Sequence, residues 1–158
     1  AAAWAERWGV RARYAVVRDD SYTEAMGEGR TLVLVGRNNR LLARRRDRLP
    51  IRVDADAVVM GERRFDARDV GVVFTAPDPD APSRTLLVVA GTTPLATLQS
   101  RALPDLLPEY VVYDTRVAPA RGRVLLGADA TVLAAGFFDA EGRAVGDDRD
   151  PVTRAPDR

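Results

Sequence analysis

The side chains able to do chemistry fall into three groups. Two are carboxylate pairs spaced two residues apart, Asp54 with Asp56 and Asp78 with Asp80. The second pair sits in Pro77-Asp78-Pro79-Asp80-Ala81-Pro82, a stiff loop whose oxygens suit a hard cation. A calcium site needs several more oxygen ligands at defined spacing, and the EF-hand pattern is absent, so this loop reads as an exposed turn. Asp54 and Asp56 share one face of a regular strand. Glycosidic chemistry needs two carboxyls across a cleft; solvated charge that blunts a strand edge is the simpler reading. The third group is a pair of loops with one plan: apolar strand, glycine, polar residues, helix. They are Leu32-Val33-Leu34-Val35-Gly36-Arg37-Asn38-Asn39 and Leu87-Val88-Val89-Ala90-Gly91-Thr92-Thr93-Pro94. In an open α/β sheet such loops lie at the carboxyl ends of strands, where ligands bind, and helix N-terminal amides favour anions. Arg37, Asn38, Asn39, Thr92 and Thr93 are therefore the candidate ligand-binding residues, able to line one pocket if the two strands are neighbours. Helix capping uses the same residue types for stability alone, and neither loop has a full G-x-G-x-x-G or Walker pattern.

What is missing narrows the chemistry further. The chain has no histidine and no cysteine, and all 24 of its basic residues are arginine. A Ser-His-Asp or Cys-His unit cannot form within it, nor can a Ser-Lys pair or a Schiff-base lysine. Imidazole and thiolate metal sites are excluded. No G-x-S-x-G nucleophile elbow occurs. No catalytic residue, metal or cofactor is assigned on these grounds. The arginine-for-lysine bias goes with abundant Ala, Val, Gly, Pro and Asp, as GC-rich coding produces, so it is not read as a functional choice.

The length of 158 residues fits one domain with one core, and 46% hydrophobic residues can fill it. A formal net charge of +1 argues against a dedicated nucleic-acid binder. The longest apolar runs, at 31–36 and 85–91, are too short to span a membrane. The Ala-Ala-Ala-Trp start lacks the features of a signal peptide and reads as a mature product or an excised piece.

The elements that must position these groups follow from pattern. Residues 1–9 suit a short helix and 11–18 a strand. Ser21 and Glu24 have capping-box spacing and predict a helix ending near Gly27 or Gly29. Residues 31–35 form a buried strand, and Asn38 or Asn39 caps a helix through about Arg48. Leu41, Leu42 and Leu49 mark its inner side, with Arg45 at the margin, and Arg40, Arg44 and Arg48 make a basic stripe. The stripe suits an acidic partner surface or simply the wet side of the helix. Residues 51–66 predict short antiparallel strands with a tight turn at Gly61-Glu62. Residues 70–75 and 85–90 are buried strands, and Thr93 with Pro94 starts another helix. Tyr110 and Tyr113 flank buried valines as packing residues in a strand over 110–113; residues 121–126 and 131–138 close the sheet. The expected fold is α/β: a mixed, mainly parallel, helix-flanked sheet of Rossmann-like three-layer form with an antiparallel hairpin insertion. It occupies residues 1–139, with 140–158 as a tail.

Several strings in order carry a resemblance: Leu32 to Asn39, Arg48-Leu49-Pro50-Ile51-Arg52, Asp69-Val70-Gly71-Val72-Val73-Phe74, Leu87 to Pro94, Leu103-Pro104-Asp105-Leu106-Leu107-Pro108-Glu109-Tyr110-Val111-Val112-Tyr113-Asp114, and Leu133-Ala134-Ala135-Gly136-Phe137-Phe138-Asp139. Across 10–139 the chain resembles the carboxy-terminal accessory region of large bacterial α/β-hydrolase-type esterases and prolyl-oligopeptidase-like proteins. The resemblance implies a noncatalytic accessory domain of a larger serine-hydrolase-type protein. Its partner would be the catalytic domain of the same polypeptide, in a secreted or periplasmic setting. No catalytic residue carries over. The Gly-Asn-Thr-Pro type of loop expected there stands here as Gly91-Thr92-Thr93-Pro94, which removes an amide. The residues themselves leave a second reading open, a stand-alone small-ligand or anion-binding module using the two helix N-terminal loops. An independent carboxylate-based hydrolase is a third.

Overall fold

A computed structural model describes residues 15–66, 68–104, 106–114 and 132–145. In chain order the elements are α1 (Glu24–Gly27), β1 (Leu32–Val35), α2 (Arg40–Arg45) continued by a 3-10 turn (Arg46–Arg48), β2 (Ile51–Val53), β3 (Val58–Met60), β4 (Arg63–Phe65), β5 (Val70–Asp78), β6 (Ala81–Gly91), α3 (Pro94–Gln99) continued by a 3-10 turn (Ser100–Ala102), β7 (Tyr110–Asp114), β8 (Val132–Phe138) and β9 (Ala144–Val145). A six-stranded sheet runs β1-β6-β5-β7-β8-β9, and β2-β3-β4 form a separate three-stranded sheet.

Alternation along the strands divides the core in two. Val70, Val72, Phe74, Leu86, Val88, Ala90, Tyr110 and Val112 point to one side of the large sheet, where Leu41 and Leu42 of α2 and Ile51, Val58 and Met60 of the small sheet meet them. Val73, Val89, Val111 and Tyr113 point to the other side and pack with Leu103. β5 and β7 are covered on both faces, so they read as continuous apolar runs without the strand being parallel. Each fully buried Val or Leu stabilises the fold by about 1.5–3 kcal/mol.

Two glycines let tyrosines lie flat across the sheet. Gly71 pairs with Tyr113, and the ring occupies the space where a Cβ on Gly71 would stand. The Tyr113 hydroxyl donates to Ala96 O of α3 at 2.8 Å, tying the helix to the sheet. On the other face Tyr110 pairs with Gly136 and lies over it in the same way, with its ring 5.0 Å from that of Phe138. Cross-strand aromatic cover of a strand glycine is a known sheet-stabilising device.

The expected mainly parallel, Rossmann-like three-layer sheet is not what forms. Among the described residues only β1 with β6 is parallel; β5–β6, β5–β7, β7–β8 and β8–β9 are all antiparallel. The helix after β1 has six residues and does not deliver the chain to a parallel neighbour. The chain passes instead through the small sheet and then through the long β5–β6 hairpin. The two buried strands expected at 70–75 and 85–90 pair antiparallel, joined by Pro79-Asp80 in a two-residue turn. Pro79 presets the turn's first φ, and residues 82–84 bulge out, since Pro77 pairs with Thr85 while Asp78 pairs with Ala81. The Gly61-Glu62 turn joins β3 to β4 as an antiparallel hairpin, with Gly61 at φ 57. Residues 15–18 carry no strand. The Ser21–Glu24 capping box does not form: Glu24 opens α1, Thr23 is the N-cap residue and makes no side-chain cap bond, and the Ser21 hydroxyl donates to Asp20 Oδ1 at 3.0 Å. β9 pairs with Phe137 and Phe138 within the stretch read as a tail. The predicted helix at 1–9 and strand at 121–126 lie outside the described residues.

Gly71→Ala is expected to destabilise the protein by about 1–3 kcal/mol through overpacking against Tyr113, measured by urea denaturation. Tyr113→Ala should then cost less in the Gly71→Ala background than in the wild type. Equal costs in the two backgrounds would show that the ring and the glycine do not need each other.

Candidate functional site

The parallel pairing of β1 with β6 brings the two Gly-polar-helix loops to the same end of neighbouring strands. Gly36 N donates to Val89 O at 2.8 Å, and Gly36 sits at φ 85, where a side chain is disfavoured. The polar residues are mostly committed to structure. Asn39 Oδ1 accepts from Leu41 N at 2.9 Å and Leu42 N at 3.2 Å, taking the first-turn amides an anion would use. Thr93 Oγ1 accepts from Ala96 N at 3.1 Å and donates to Asp69 Oδ1 at 2.6 Å. Asp69 is held at φ 63, in the left-handed region that non-glycine residues seldom enter. Thr92 is buried; its hydroxyl accepts from Val70 N at 3.1 Å and donates to Val70 O at 3.3 Å, which extends the sheet's bonding. Gly91 is needed because Ala96 and Thr97 pack where its Cβ would stand. Asn38 is exposed. Arg37 lines a concavity.

That concavity is a recess of about 60 Å³ between α2 and β2, lined by Arg37, Leu42, Ala43, Arg46, Ile51, Arg52 and Val53. Three of the lining residues are arginines and the other four are apolar. Arg46 Nη2 lies 2.8 Å from Asp54 Oδ1, and Arg52 Nε donates to Asp54 Oδ2 at 3.2 Å. Arg46 Nε also stands 3.8 Å from Asp47. Arg37 makes no ion pair among the described residues. Sequence reasoning picked out Arg37 but not Arg46 or Arg52. The available signal was an arginine two residues into β2 opposite arginines of the helix before it.

The carboxylate pairs take different roles from those expected. Asp54 and Asp56 lie in the loop between β2 and β3, not on one strand face. Asp54 serves Arg46 and Arg52, and Asp56 meets Arg64 at 2.6 Å. Asp78 is not in an exposed turn; it is 0% exposed. Arg45, read as marginal, is 1% exposed. Its Nε donates to Asp78 Oδ1 at 2.8 Å, and its Nη2 to Asp78 Oδ2 at 3.3 Å. Arg84, carried by the bulge, donates to Asp78 Oδ2 through Nε at 2.8 Å and through Nη2 at 2.5 Å. Around this core stand Asp80, 3.0 Å from Arg45 and 2.7 Å from Arg48, and Glu24, 2.9 Å from Arg84. Burial alone would push the Asp78 carboxyl up. Arg45, the Asp80 amide and Arg84 outweigh it and hold the carboxyl below the usual range. Arg84 is driven further into its charged form by Asp78 and Glu24 against the pull of burial. Asp78 and Asp80 face cations that the chain itself provides, so this loop is a structural ion cluster.

Among the described residues no group of three His, Cys, Asp or Glu side chains is placed to hold a metal ion. No helix there is long and apolar enough to cross a membrane.

Asp78→Asn leaves two buried guanidinium groups short of a charge and should cost about 3–5 kcal/mol, read by urea denaturation at neutral pH. The folded-state carboxyl titrates lower than the unfolded one, so its stabilisation is complete above about pH 4 and is lost as pH falls toward the folded value. The acid-induced loss of stability should therefore be smaller in Asp78→Asn than in the wild type. Asn39→Ala and Thr93→Ala should each cost about 1 kcal/mol as lost caps, and a far smaller cost would mean these side chains are free for a ligand.

Comparison with protein-family models, with curated proteins and with solved structures returned no match.

Proposed function

We propose that the chain is a noncatalytic module, an accessory unit of a larger serine-hydrolase-type protein that packs on the catalytic domain and helps to place its substrate. The observation that carries the docking role is the outer side of α3. Pro94-Leu95-Ala96-Thr97-Leu98-Gln99 contains no charged residue, in a chain that is 30% charged. Leu95 and Leu98 stand three apart, on one side of the helix, and are 48% and 49% exposed. A surface helix of a free-standing protein normally turns polar residues to water; an apolar outer side marks a surface that meets another body. Leu106, in the segment that follows the helix, is 89% exposed.

The absence of histidine, cysteine and lysine supports the noncatalytic half of the reading. So does the commitment of Asn39, Thr92 and Thr93 to caps and sheet bonds. The link to a hydrolase, and with it a secreted or periplasmic setting, is supported by the ordered sequence strings.

The reading frame that encodes the chain is expected to include a G-x-S-x-G segment, and a frame coding for these 158 residues alone would overturn the accessory role. The purified chain should take no label from a fluorophosphonate probe and turn over no ester. The double variant Leu95→Glu/Leu98→Glu should stay folded by circular dichroism and bind the catalytic domain at least about tenfold more weakly, the loss of about 1.4 kcal/mol or more. Unchanged binding would remove α3 from the interface.

A further inference from the structure

We infer that the recess between α2 and β2 is a binding site for a small oxyanion, a carboxylate or phosphate group, held by Arg37, Arg46 and Arg52. This inference concerns the opposite side of the sheet from α3 and does not rest on the hydrolase reading.

Size, charge and geometry agree on this ligand class. A volume of about 60 Å³ holds a few waters. It is well below the roughly 300–1,000 Å³ of a cofactor or drug-sized pocket, so the occupant is a single compact group. Three arginines line it, and the carboxylates that pair with them among the described residues are Asp54 and Asp47. Asp54 is shared between Arg46 and Arg52. Asp47, 3.8 Å from Arg46, is 85% exposed. The recess thus keeps an excess of positive charge, and Arg37 contributes a guanidinium with no ion pair among the described residues. Guanidinium forks match carboxylate and phosphate oxygens in pairs. Leu42 and Ile51, which also line the recess, are buried and add apolar surface beside the charged groups. The three arginines come from three separate elements: the β1–α2 loop, the turn after α2, and β2. A solvated helix stripe would place its charges along one element, as Arg40 and Arg44 do.

The test follows the arginine side-chain Nε–H signals of the purified chain by NMR. Inorganic phosphate is titrated in one series and citrate in another, each against sodium chloride at equal ionic strength. Saturable shifts are expected at Arg37, Arg46 and Arg52. Arg37→Ala should weaken binding by about tenfold or more, the scale of a charge-assisted hydrogen bond. Arg44→Ala removes a charge from the exposed side of the same helix and should leave the binding constant unchanged. Ala43→Leu fills the recess without altering charge and should abolish saturation. Saturation by phosphate alone assigns a phosphate group, and saturation by citrate alone a carboxylate. Shifts that grow linearly and match the chloride series overturn the site. So do equal effects of Arg37→Ala and Arg44→Ala.

Discussion

The fold depends on one buried carboxylate that faces two arginines. Asp78 lies at the tip of the β5–β6 hairpin, where Arg45 reaches it from α2 and Arg84 from the bulge in β6. With Arg48, Asp80 and Glu24 the cluster holds three positive and three negative groups, so its charge closes within itself. Taking such groups out of water costs several kcal/mol per ion, and the attraction between them does little more than offset that cost. The energetic consequence is therefore selectivity. A one-residue slip of the hairpin would strand Asp78 or a guanidinium without a partner, and a shift of α2 would do the same. Helix, hairpin and α1 are held to a single arrangement by the penalty for any other. The bulge at residues 82–84 is part of this device, because a regular register would not present Arg84 on the same side as Asp78.

The large sheet shows why a nucleotide-fold type of site does not arise. A carboxyl-end crevice needs several parallel strands whose loops gather at one end. Here the parallel pair β1–β6 supplies two such loops, and β5, beside β6, runs the other way. The two loops meet, as strand adjacency requires, but each faces a six-residue helix whose first amides are already capped. The tyrosine-over-glycine pairs on the two faces fill the space above Gly71 and Gly136 at the centre of the sheet.

Much of the local structure was legible in the residues, and the topology was not. Asn39, Thr93 and Pro94 mark helix starts that form where capping chemistry puts them, and Gly61-Glu62 makes its hairpin. These signals act over two to four residues, so no tertiary knowledge is needed. Strand direction is a different matter. A run such as Val70 to Thr75 is apolar because both faces of the sheet are covered, and antiparallel central strands satisfy that as well as parallel ones. The turn that decides the matter, Pro79-Asp80, carries the same Pro and Asp residues as an ordinary exposed loop. Arg45 held a stronger clue. It stands four residues after Leu41 and four before Leu49, on the inner side of α2, and a charge at a core position demands a buried counter-charge. Sequence alone does not say that Asp78, 33 residues on, provides it.

The two sides of the large sheet are chemically unlike, and this separates the two functional proposals in space. α2 and its following turn carry Arg40, Arg44, Arg45, Arg46 and Arg48, and their leucines enter the core on the side of Val72 and Val88. α3 carries no charge and is bonded to Tyr113, whose core group lies on the other side. A protein body seated on α3 would leave the arginine-lined recess open to solvent, with the packed sheet between them. Occupation of one surface therefore does not block the other. β6 links the two sides, with Gly91 at its end against α3 and Arg84 within it in the ion cluster.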